Sequence, residues 1–253
     1  MPSIPGFGFS QAPASPLTPR DVARMWGVLM RRLGFDRYGA QGGDLGGCVT
    51  GWMGYEDPAI AAIHMNMQVL FPDGSDFETN PPDAAEADWM RRGTESMTRE
   101  RGYQAIQGTK PQTLAYGLDD SPAGMAAWIL EKFKVWTNPE GTAPPPFTIG
   151  GLITNIMLYW LGQGAAPPSW FYIALHERRG FWMEPGGKVM APAAFCFFAN
   201  DLMPSRPPIE HSARVFGNIV HRVEHATGGH FPAMEVPAVL AEDIRAFFRA
   251  YRS

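Results

Sequence analysis

The sequence predicts an α/β protein, a parallel sheet interrupted by a long helical insertion. Three observations carry that reading. Short apolar runs alternate with helical segments through short loops, the pattern of parallel strands joined by crossover helices. A glycine-rich run, Gly42-Gly43-Asp44-Leu45-Gly46-Gly47, falls where a strand gives way to a helix. Between Phe71 and Gly187 the strand signal fades and helical spacing takes over. The 253 residues are 45% apolar and 18% charged, enough for a sizeable core and unlike a disordered chain or a coiled coil.

The first ten residues read as the tail of a strand followed by a turn. A helix is predicted from Thr18 to Gly34, with Thr18 as N-cap, Pro19 at its first position and Asp21 three residues after the cap. Val22, Met25, Trp26, Leu29 and Leu33 form its apolar stripe, and Gly34 can take the left-handed conformation that ends it. A short run from Phe35 to Gln41 leads into the glycine pattern. A second helix is expected from Leu45 to about Tyr55, stopping near Asp57-Pro58, and Ile60 to Met67 reads as a buried strand.

Within the insertion, Ala84 to Tyr103 reads as one charged helix, and Ser121-Pro122 opens another carrying Met125, Ile129, Phe133 and Trp136. A Pro-rich loop, TNPEGTAPPP, separates that helix from Leu152 to Leu161, which is apolar nearly all round and so predicted to be buried on several sides. Strand signals return at Phe195 to Phe198 and at Ile219 to Val223. The last helix starts near Pro237, with Leu240, Ile244, Phe247 and Tyr251 on one face.

Composition excludes several functions. The net charge of −4 gives no reason to expect nucleic acid or an anionic membrane as partner. Two cysteines, Cys48 and Cys196, make no disulfide framework, which points to a reducing, cytoplasmic setting. The start lacks the basic and apolar regions of a signal peptide, and no run reaches the ~18 apolar residues of a membrane span.

Gly42-Gly43-Asp44-Leu45-Gly46 has the Gly-x-nucleophile-x-Gly form of a sharp strand-to-helix turn, which lifts the central side chain above the sheet. The nucleophile would be a carboxylate, for which an alkyl carbon is the natural electrophile. The same spacing also fits an ordinary glycine-rich turn with an N-capping Asp. Gly228-Gly229-His230 follows the last strand, and Asp201 follows the penultimate one. Nucleophile, acid and histidine then stand in hydrolase chain order, each at a strand end. His221-Arg222-Val223-Glu224-His225 matches a zinc-binding H-x-x-E-H pattern, but that pattern works on a helix. In a strand the two histidines stand ~13 Å apart along the backbone. No metal is assigned.

PSIPGFGFS, GGDLGG, IHMNM, GYQAIQGTKPQTLAYGLDDSPAGMAAWILEKF, TNIMLYW and GGHFPAMEVP together resemble the microsomal-type epoxide hydrolases, a family of the α/β-hydrolase fold. The resemblance runs from Pro2 to the C-terminus. Haloalkane dehalogenases share an Asp nucleophile but follow it with a halide-holding Trp, where this chain has Leu45. The resemblance implies conversion of a small-molecule epoxide to a vicinal diol, with no cofactor. It makes Asp44 the nucleophile, Asp201 and His230 the water-activating pair, and Tyr103 and Tyr172 the donors to the epoxide oxygen. Leu45 would supply an oxyanion N–H. Relatives often carry Glu at the position of Asp201.

By the same resemblance, residues 1–70 and 188–253 form the core and 71–187 a helical lid. The family's HGxP loop and first strands have no counterpart here, so the expected sheet lacks its N-terminal strands. Phe35 to Gln41 would then be an open edge, a template for pairing with a second copy into a homo-oligomer. Two readings follow: an epoxide hydrolase, or a catalytically impaired remnant that needs a partner chain or an upstream segment.

Overall fold

A computed structural model describes residues 1–137, 146–178, 180–202 and 206–252, and most of the Pro-rich loop (138–145) lies outside them. Helix α1 (Pro19–Arg32) is followed by β1 (Tyr38–Gly42), α2 (Leu45–Glu56) and β2 (Ile60–Met65). Seven helices come next: α3 (Gly74–Thr79), α4 (Ala84–Glu100), α5 (Gly102–Thr109), α6 (Pro111–Asp120), α7 (Pro122–Val135), α8 (Ile149–Trp160) and α9 (Ala166–Arg178). The chain then returns to the sheet with β3 (Ala193–Phe198), α10 (Ile209–Ala213), β4 (Ile219–His225), α11 (Pro232–Glu235) and α12 (Pro237–Phe248). The strands lie in the order β1-β2-β3-β4, and every neighbouring pair is parallel.

The two faces of the sheet are covered differently. Ile63 and Met65 of β2, with Phe195 and Phe197 of β3, pack into a core with Val49 and Trp52 of α2 and Val22 of α1. On the other face α12 sets Phe247 against Ala62 and Ala194, and Leu240 against Cys196 and Phe198. The capping signals act as expected. Thr18 and Asp21 form a reciprocal capping box on α1, and Ser121 accepts from the Gly124 N–H at the start of α7.

The insertion leaves and rejoins the core at one place. Phe71 N–H donates to Phe181 O, and Met183 N–H donates back to Phe71 O, each at 2.8 Å. A buried ionic cluster fastens its first helices to α10. Arg214 Nε donates to Glu86 at 2.6 Å, His211 Nδ1 lies 2.8 Å from the same oxygen, and Arg214 also reaches Asp76 at 2.6 Å. The far end of the insertion has its own small core, built from Leu118, Met125 and Ile156.

Four expectations need correction. Residues 1–10 form turns, with no strand. Ala84 to Tyr103 is two helices, broken at Arg101 just before Gly102, a weak helix former. Helix α8 buries only Ile156, and Ile149, Ile153 and Leu161 are more than half exposed. Its apolar surface is wider than the face its neighbours cover. The stripe of α1 is likewise only partly used: Val22 is fully buried while Met25, Leu29 and Leu33 are exposed.

Candidate active site

Three loops at the carboxyl ends of the strands assemble the site, where parallel sheets present ligand-binding groups. Asp44 lies between β1 and α2 with φ 47° and ψ −126°, a left-handed conformation that strains a non-glycine residue by about 1–3 kcal/mol. The turn holds because its neighbours are glycine. A Cβ on Gly42 would strike the backbone of Gly46, and one on Gly43 would strike the Asn66 amide. Gly46 itself has open space, so the crowding falls on one side of the motif rather than both. Asp44 makes no capping bond to α2, which removes the N-cap alternative. Its carboxylate turns to His230 instead.

His230 joins two carboxylates. Its Nε2 lies 3.1 Å from Asp44 Oδ2, and its Nδ1 lies 3.0 Å from Asp201 Oδ1. The shorter Asp at the acid position therefore reaches its histidine. The His230 and Asp201 side chains are buried while that of Asp44 is 40% exposed, so the triplet opens at the Asp44 end. Burial alone would lower the imidazole pKa, but the Asp201 charge and the bonds to Asp201 and Asp44 outweigh it and raise it to about 10.

The loop carrying His230 is held from several sides. Gly228 takes φ 95°, and its carbonyl accepts from Asn200 N–H at 3.0 Å, tying this loop to the one that bears Asp201. Glu235 accepts from both Gly229 N–H and Phe231 N–H at 2.8 Å, bracketing the histidine. Trp136 accepts from His230 N–H at 3.0 Å and sets its ring edge-on at 4.8 Å. Neither Glu235 nor Trp136 has a role that the sequence alone reveals. The GGHFPAMEVP string contained the first, and the second acts through a backbone carbonyl that no side-chain motif reveals.

Tyr103, in the first turn of α5, and Tyr172 of α9 meet edge to face at 5.7 Å between ring centres. Burial first, then the Asp44 charge, pushes the Tyr103 phenol up, and burial with the charges of Tyr103 and Asp44 does the same for Tyr172. Both therefore hold their protons at neutral pH. Lys132 Nζ sits 4.7 Å over the Tyr103 ring. Asp44, Tyr103 and His230 line one cavity of about 310 Å³, with Met67, Phe71 and Trp182 supplying apolar wall. Tyr172 lines an adjoining cavity of about 260 Å³, which also includes Tyr103 and Trp136. Leu45 is the first residue of α2, where helix N–H groups lack intrahelical acceptors.

Comparison with known proteins settles the family. A relative from Stigmatella aurantiaca (strain DW4/3-1), named as an epoxide hydrolase, is 36% identical over 255 residues, all of this chain and 56% of its own length. Epoxide hydrolase 1 of Oryctolagus cuniculus is 34% identical over 97% of this chain and 58% of its own. The crystal structure of juvenile hormone epoxide hydrolase from Bombyx mori superposes with a TM-score of 0.81 at 31% identity, over 99% of this chain and 59% of its own. The chain belongs to the epoxide hydrolase family. No family model matches it.

Its sheet and flanking helices are those of an α/β-hydrolase fold, and it spans somewhat over half the length of these epoxide hydrolases. Among the described residues, no helix is long and apolar enough to cross a membrane.

Proposed function

We propose that this epoxide hydrolase chain opens small-molecule epoxides to vicinal diols through a covalent ester on Asp44. The bridging of Asp44 and Asp201 by one buried imidazole, beside a cavity shared with Tyr103, carries this reading. An Asp44 oxygen attacks an epoxide carbon, and the C–O bond breaks as the ring oxygen takes a proton from Tyr103 or Tyr172. A neutral phenol suits that step, donating a hydrogen bond before it gives up the proton. His230 then removes a proton from water, whose oxygen adds to the ester carbonyl. The Leu45 N–H stabilises the oxyanion, and collapse releases the diol and restores the Asp44 carboxylate. The proton taken from water stays on His230 and restores its resting charge.

The electrostatics give the two steps an order. In the resting site two carboxylates keep His230 charged, which suits binding and alkylation but not base catalysis. Forming the ester removes the Asp44 charge, so the imidazole loses one of the two groups that raise its pKa. The imidazolium then passes its resting proton through solvent to the tyrosinate left by ring opening, and the neutral ring is the base for the second step.

Residues 71–187 act as the lid in this reading, since Tyr103 and Tyr172 approach the core from the insertion. Both cysteines are free and buried, in keeping with a cytoplasmic site of action. Incubating the purified chain with a panel of aryl and alkyl epoxides and assaying diol tests the proposal. Turnover that Asp44→Asn abolishes supports it, and turnover that survives Asp44→Asn overturns it.

One observation favours a second reading, in which the chain works only with a partner chain or an upstream segment. Strand β1 is an outer strand of the sheet, and Met25, Leu29, Leu33 and Phe35, in the helix and turn that lead into it, stand exposed. Such an edge invites pairing, including with a second copy. Light scattering distinguishes the cases: a self-associating chain supports the second reading, and an active, monodisperse monomer removes it.

A further inference from the structure

A second cluster of ionisable side chains lies under the sheet, on the face that α12 covers. Across β2, β3 and β4 the residues His64, Ala194 and His221 stand in register, and the small Ala194 leaves the space between the two histidines open. Asp243 of α12 projects into that space. His64 Nε2 lies 2.8 Å from Asp243 Oδ1, His221 Nε2 lies 3.2 Å from the same oxygen, and His225 Nε2 lies 3.2 Å from Oδ2. Cys196 of β3, a free and fully buried thiol, completes the group. One potential ligand atom each from His64, Cys196 and Asp243 lies within 4.8 Å of the other two.

Hydrogen bonding within the cluster does not satisfy it. His64 is fully buried, and its Nδ1 has no partner. A buried polar atom left alone costs about 1–3 kcal/mol, and an apolar residue at this position would avoid that cost. None of the residues lines the cavity that holds Asp44, so the epoxide chemistry does not account for them. Imidazole, thiolate and carboxylate together form a borderline-soft donor set, which suits zinc better than calcium or magnesium.

We propose that His64, Cys196 and Asp243 bind a divalent cation of the zinc class. Tetrahedral ligands ~2.0–2.3 Å from such an ion stand ~3.3–3.7 Å from one another, so the cluster needs only small side-chain shifts to receive it. As the sulfur–metal bond forms, the Cys196 thiol gives its proton to solvent. His221 and His225 hold the outer side of the carboxylate, as second-shell groups do at metal sites, and their partial exposure provides the entry path. The ion would tie two strands to α12, the helix that follows the His230 loop. It stabilises the fold and takes no part in catalysis.

The test uses the full chain, free of any affinity tag, stripped with a chelator and titrated with Zn²⁺ or Co²⁺ alone. One ion should bind per chain, with a melting temperature several degrees higher in Zn²⁺ and a thiolate-to-cobalt charge-transfer band in Co²⁺. Cys196→Ser is nearly isosteric but buries a hydroxyl among apolar groups, so its thermal shift is read against its own metal-free form. It should lose the band and weaken Zn²⁺ binding by more than the ~10–100-fold typical of an outer-shell change. Asp243→Asn should also abolish the thermal shift. No saturable binding by the wild-type chain would overturn the proposal. So would binding that Cys196→Ser leaves unchanged, because the ion would then sit elsewhere.

Discussion

Two aspartate–histidine clusters share one four-stranded sheet, and they are built in opposite ratios. At the carboxyl ends of the strands one imidazole, His230, stands between two carboxylates. Under the sheet one carboxylate, Asp243, faces three imidazoles and a thiol. Excess carboxylate holds a proton on the histidine, while excess imidazole leaves lone pairs to share. The first cluster opens to a cavity at Asp44 and rests on a strained turn. The second lies between regular elements, its His64, Cys196 and Asp243 buried and its His221 and His225 partly exposed. On the proposed reading, strain and exposure belong to the reacting site and burial to the one that holds the fold together.

The comparison breaks most directly at the two aspartates. Asp44→Asn is expected to lower epoxide turnover by about 10⁴-fold or more, with little change in melting temperature, measured by diol formation and calorimetry. Asp243→Asn should do the reverse, lowering stability by about 2–3 kcal/mol in denaturant titration while the activity of the folded fraction persists. A large loss of activity in folded Asp243→Asn would merge the two sites.

A smaller effect is expected at the acid partner of His230. Asp201→Asn should reduce turnover by about 10²–10⁴-fold and lower the apparent pKa of His230, read from the imidazole NMR signal. Tyr103→Phe and Tyr172→Phe should each cost about 10–10²-fold, and more together, because each leaves one donor to the ring oxygen. A separate effect is on the pH dependence of stability. A histidine raised to about 10 in the folded chain stabilises fully below its unfolded value of about 6.5 and loses that contribution as pH rises through about 10. Wild type should therefore lose stability relative to His230→Gln between neutral pH and about 10. Parallel curves would show that the two carboxylates do not hold that proton.

The first cluster was largely legible in the sequence and the second was not, for a physical reason. Asp44, Asp201 and His230 sit where glycine patterns and strand ends mark sharp turns, so short-range signals locate each one. His64 and Asp243 are 179 residues apart, and only the sheet register brings them together. The H-x-x-E-H segment was read as a strand correctly, since it lies in β4. Its backbone rise hid the fact that alternate residues of a strand share a face, which lets His221 and His225 reach one carboxylate. Helix α8 shows a related gap. Periodicity reports which residues are apolar, not how many neighbours arrive to cover them, and Ile149 and Leu161 remain exposed. The break between α4 and α5 was missed because the charged pattern runs through Arg101, although that break sets the direction from which Tyr103 enters the cavity.

The covalent ester on Asp44 is the central chemical step of the proposed reaction, and trapping it is the most direct test. In His230→Gln the carboxylate can still open an epoxide, but no base remains to activate water against the ester. Intact-mass spectrometry of that variant after incubation with an aryl epoxide should show a gain equal to one substrate molecule, mapped by peptide analysis to Asp44. An unmodified chain under conditions where wild type forms diol, or an adduct on any other residue, would contradict the account.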